Sequence, residues 1–122
     1  MKKLSMMLTL VLLIAGTALC FGAENEETAL SWQKQANETR AAVMSVYAEL
    51  QKSGDKGNAA AKDLITDAVA QLGEGDKYLK KGDEAFAAQE WEKANFGYNM
   101  AWQYYVKAAT AGLNAKSIIG SQ

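Results

Sequence analysis

Residues 59–88 read AAAKDLITDAVAQLGEGDKYLKKGDEAFAA, and whether this stretch is one helix or two pieces broken at Gly73-Glu74-Gly75-Asp76 decides the fold. Gly73, Gly75 and Gly82 favour a break, because each costs about 1 kcal/mol relative to alanine inside a helix. The periodicity opposes it. Ala61, Ile65, Ala68, Leu72, Gly75, Leu79, Gly82, Phe86 and Gln89 recur in alternating steps of three and four without a slip, whereas a true loop would shift the phase. The spacing predicts one helix over 59–88, with a loop at 73–76 as the alternative. Gly75 and Gly82 fall on the stripe itself, where a missing side chain lets a neighbouring helix or a bulky ring come close.

Working outward, a second helix is predicted over 27–52. Ala29, Trp32, Ala36, Thr39, Val43, Val46 and Leu50 form its heptad-type stripe. Ser53-Gly54-Asp55-Lys56-Gly57-Asn58 separates the two, with Gly54 expected as a left-handed C-cap and Asn58 as the N-cap of the next helix. On the other side a helix is predicted over 90–111. Trp91, Ala94, Tyr98, Ala101, Tyr105 and Ala108 form its stripe, widened by Phe96, Met100, Trp102 and Tyr104. Ala111-Gly112 reads as its stop and 113–122 as a C-terminal tail. Short connections between long helices, and the absence of proline, predict an all-α, antiparallel three-helix bundle in up-down-up order.

The N-terminal 22 residues read as an export signal. Lys2 and Lys3 form a basic start, and the apolar run from Leu4 to Ile14 is eleven residues, against roughly 20 for a membrane-crossing helix. Cleavage after Gly22 places Cys20 and Gly22 at the two small-residue positions. Cleavage after Cys20 uses Ala18 and Cys20, and cleavage after Ala23 puts bulky Phe21 at a small position. The expected product is a bundle domain over 23–112, periplasmic or secreted from a bacterium. Cys20 also resembles the lipidated cysteine of bacterial lipoproteins, although Leu19 stands where that pattern has a small residue; that alternative implies a membrane-anchored lipoprotein. A membrane role is expected only if Cys20 is lipidated.

The junction of the last two helices resembles a tetratricopeptide repeat over about 75–108. Gly82, Phe86, Trp91, Ala94, Tyr98 and Ala101 occupy that family's glycine, aromatic and alanine places at matching spacing. The resemblance implies two antiparallel helices crossing closely, with small residues at the approach and rings beside it. Gln89 stands where the family's turn often has glycine, the family's closing proline is missing, and no second copy occurs at a 34-residue period. The resemblance implies a repeat-like hairpin inside a bundle.

Residue types narrow the function. The chain has no histidine, and its one cysteine, Cys20, is expected to leave with the export signal, so the favoured mature form has none. That removes the usual general base near neutral pH, a cysteine nucleophile and the ordinary ligands of zinc or haem. No cofactor, no metal and no enzymatic activity are expected. Without Lys2 and Lys3 the 13 basic residues fall to 11 against 14 acidic, and the formal charge moves from −1 to −3, so nucleic acid is not an expected partner. Asp76, Asp83 and Glu84 read as a solvated acidic face, with an oxygen-ligand calcium site as the alternative. The aromatic cluster is the candidate working surface. Most of its rings suit the core, whereas Phe96, Met100 and Tyr104 fall outside the main stripe and are the expected partner-binding residues. The expected function is a protein-protein interaction module of the bacterial envelope, binding another protein or itself. A lipid-anchored structural protein and a carrier of a small apolar ligand beside Gly75 and Gly82 are the alternatives.

Overall fold

The computed structural model describes residues 24–121, so the export segment and Cys20 lie outside the described residues. Three helices follow one another: α1 (Glu26–Ser53), α2 (Ala59–Ala87) and α3 (Trp91–Gly120). They form an antiparallel bundle in which α2 and α3 make the most intimate pair and α1 rests chiefly on α3.

Each start has a local cause. Asn25 caps α1 by accepting the Thr28 backbone N–H at 3.0 Å, while Thr28 Oγ1 accepts the Asn25 N–H at 2.9 Å, a reciprocal capping box. Glu26 and Glu27 place negative charge on the first turn, where the helix dipole favours it. Asn58 caps α2 through the Ala61 N–H at 2.9 Å. Gly54 ends α1 with φ 65° and an extended ψ of −175° rather than the left-handed helical cap expected, a combination open essentially to glycine alone.

Helix α2 passes through Gly73, Gly75 and Gly82 without interruption. Its turn into α3 is a Schellman motif: Glu90 N–H donates to Ala85 O and Gln89 N–H to Phe86 O. Gln89 sits at the left-handed position with φ 59°, which glycine usually occupies.

Helix α3 corrects the expected boundary. It does not stop at Ala111-Gly112 but continues to Gly120, so most of the segment expected as a tail (113–122) is helical. Gly112 is a packing residue rather than a stop: a Cβ there would stand 2.9 Å from Val46 Cγ1. Beyond it Ala115 and Ile119 extend the stripe and pack with Val46, Leu50 and Ala61. Lys116 pairs with Glu49 across the same end.

Candidate functional site

The α2–α3 seam is built around glycines. A Cβ on Gly82 would stand 2.6 Å from Tyr98 Cδ1, and one on Gly75 would stand 2.5 Å from Tyr105 Cε1. Both rings are 0% exposed. The space beside these glycines is therefore filled by the protein's own tyrosines. A void beside Val43, Val46, Leu72 and Gly112 has about 10 Å³, enough for a water molecule. Gly97 brings the two backbones themselves together, since its Cβ would meet the Gly82 backbone nitrogen at 2.7 Å. Ala94 and Ala101 are fully buried, and Phe86 meets Trp91 edge to face at 5.2 Å between centroids.

Each tyrosine reaches across to a carboxylate beside its glycine. The Tyr98 hydroxyl donates to Asp83 Oδ1 at 2.6 Å, and Gln33 Nε2 donates to both that carboxylate (3.2 Å) and the Tyr98 oxygen (3.0 Å). Seven residues away on every helix the arrangement recurs. The Tyr105 hydroxyl donates to Asp76 Oδ1 at 2.5 Å, and Arg40 donates to both Asp76 oxygens at 2.8 and 3.3 Å. Asp76 and Asp83 thus serve as hydrogen-bond acceptors that tie the three helices together, not as part of a merely solvated face. Burial pushes the Asp76 carboxyl up, but Arg40 and Tyr105 outweigh it and hold it below the ordinary value. Burial, then the neighbouring carboxylate, pushes both tyrosine hydroxyls up.

These clasps were not expected. Their signal in the chain is a shared period of seven: Gly75-Asp76 and Gly82-Asp83, Tyr98 and Tyr105, Gln33 and Arg40. Two buried polar residues also lie off the predicted stripes, Gln35 (2% exposed) and Asn95 (8%), and the Gln35 backbone carbonyl accepts the Thr39 hydroxyl.

The three expected binding residues lie on one surface. Phe96 is 62% exposed, while Met100 and Tyr104 are half-buried. Tyr78 of α2 joins them: it stacks on Tyr104 (5.5 Å between centroids, 12° between planes) and meets Phe96 edge to face at 6.4 Å. Lys81 Nζ lies 5.2 Å from the Tyr78 centroid and Lys107 Nζ lies 5.0 Å from that of Tyr104. An open groove at the Phe96 end of this ladder is lined by Tyr78, Ala85, Phe96 and Gly97, with Lys81, Glu84, Glu92 and Lys93 beside them. Trp102, which also widened the predicted stripe, turns instead toward α1 and packs on Trp32 at 5.9 Å.

The chain matches no family model, no curated protein and no solved structure. Among the described residues no helix is long and apolar enough to cross a membrane.

Proposed function

We propose that this chain is an exported, non-enzymatic helical protein of the bacterial envelope that works by binding a protein through the Phe96–Met100–Tyr104 face of its α2–α3 hairpin. The observation that carries the reading is Phe96. A phenylalanine 62% exposed at the end of a contiguous ring ladder leaves apolar surface in water that a small domain would otherwise bury. Exposed aromatic groups ringed by polar side chains are what protein interfaces are built from. The lack of histidine supports a binding role over catalysis, and the basic-then-apolar start of the chain supports export.

The likeness to a tetratricopeptide hairpin belongs to the same reading. The close Gly82–Gly97 approach, the Tyr98 ring over Gly82 and the buried Ala94 and Ala101 are the packing which that pattern implies. Lipid anchoring through Cys20 is a separable matter of the N-terminus: the mass of the processed chain distinguishes a diacylated cysteine from an unmodified start.

The test is site-specific photo-crosslinking in the native cell, with a photoreactive phenylalanine analogue replacing Phe96 or Tyr104, and replacing exposed Ser45 of α1 as the control. The expected result is one discrete adduct from the two α3 positions and none from Ser45. Absence of any discrete adduct from Phe96, or the same adduct from Ser45, would sink the assignment of this face.

A further inference from the structure

We infer that the occupant of this face is a second copy of the chain, packed α3 against α3 in antiparallel register about Met100. The inference rests on the reading of this face as the binding surface and names what it binds.

The face points away from α1, and Tyr78 of α2 flanks it. At roughly 100° per residue, Met100 points about 160° away from Trp102, and Trp102 is the ring through which α3 meets Trp32 of α1. Asn95, which donates to Thr28 of α1, likewise lies on that other side. Phe96, Met100 and Tyr104 follow one another at steps of four and form one row along α3.

The row is symmetric. Phe96 and Tyr104 stand four residues to either side of Met100. Two copies running in opposite directions bring Met100 to Met100, and set each Phe96 level with Tyr104 of the second copy. The charges at the two ends then choose the direction. Glu92 lies eight residues before Met100 and Lys107 seven after it. Both are exposed, and neither takes part in an ion pair among the described residues. Antiparallel packing places Glu92 of each copy by Lys107 of the other, twice. Parallel packing in register would set Glu92 on Glu92 and Lys107 on Lys107, at a cost for each like-charge pair. Tyr78 and Lys81 of α2 widen the patch beside the row.

The strength follows from size. A contact from Glu92 to Lys107 is about 23 Å long at 1.5 Å per residue. A single helix face of that length falls below the standard interface of roughly 1,600 Å², in the class of weak, transient contacts.

Sedimentation of the full chain, as processed by its host, tests this over a concentration series with Glu92→Lys, Lys107→Glu and the double reversal, each verified as folded by its helical circular dichroism. Each single reversal is expected to weaken the dimer at least about tenfold, and the double reversal to restore it to within about threefold, because the exchanged charges pair again. A chain that stays monomeric at about 1 mM, a concentration at which even weak dimers form, overturns the inference. So does a dimer indifferent to both single reversals, or a double reversal no tighter than either one. A monomeric chain whose Phe96 crosslinks to a different protein removes the self-pairing and leaves the binding face standing; a monomer with no Phe96 adduct removes both.

Discussion

Glycines mid-helix carry different burdens at neighbouring positions, and alanine substitution separates them. Gly73 is exposed, with nothing within 4 Å of a Cβ placed on it. Gly73→Ala should therefore raise stability by about 0.5–1 kcal/mol through helix propensity and a less flexible unfolded chain. Gly82→Ala should do the reverse. Its methyl group would collide with the Tyr98 ring, which cannot slide away because its hydroxyl is held by Asp83 and Gln33. Overpacking of this kind costs about 1–3 kcal/mol. Gly97→Ala meets the Gly82 backbone rather than a ring, so its loss should be the largest, at about 3 kcal/mol or more. Urea midpoints of the three variants check the order. If Gly73→Ala and Gly82→Ala moved the midpoint the same way, the ring-over-glycine packing would be wrong.

The three helices were legible for reasons that differ along the chain. In α2 the unbroken three-four phase outweighed three glycines, and the reason is now visible: two of them receive rings from α3, so packing compensates for the lost propensity. In α1 every residue of the predicted stripe is buried. The end of α3 was misplaced because glycine after alanine carries the same signal whether it stops a helix or seats against a valine, and only the position of Val46 on another helix decides between them. The polar clasps escaped for a related reason: an aspartate beside a glycine reads as solvated until the tyrosine that reaches it is placed. On the surface, Phe96, Met100 and Tyr104 could be singled out because they left the stripe, but Tyr78 comes from another element and no local pattern joins it to them. The α2–α3 turn offers a second test. Gln89 holds a left-handed conformation that costs a non-glycine residue roughly 1–2 kcal/mol. Gln89→Gly should stabilise the protein by about 0.5–1 kcal/mol, the remainder being lost to the freer unfolded chain. Thermal melts report it, and a fall in Tm would mean that the Gln89 side chain stabilises the turn.

Across the whole molecule, the two clasps join all three helices at levels seven residues apart, and they make stability depend on pH in opposite senses at the two ends of the scale. Asp76 binds its proton more weakly folded than unfolded, because Arg40 and Tyr105 outweigh the effect of burial. Its contribution is therefore complete above the unfolded value of about 4 and is lost as pH falls through the folded one. Tyr98 and Tyr105 shift the other way, through burial first and then their carboxylate neighbours. Their contribution is complete below the unfolded value of about 10 and is lost as pH rises toward the folded values, since the unfolded chain releases those protons first. The Tm should form a plateau from about pH 5 to 9 and fall on both sides. Asp76→Asn should lower the plateau and flatten the acid limb, because the carboxylate whose protonation drives that limb is gone. Tyr105→Phe should flatten the alkaline limb while leaving Arg40 on Asp76. An acid limb of unchanged slope in Asp76→Asn would mean that other carboxylates govern acid unfolding and that the clasp at Asp76 does not hold α1 to the hairpin in solution.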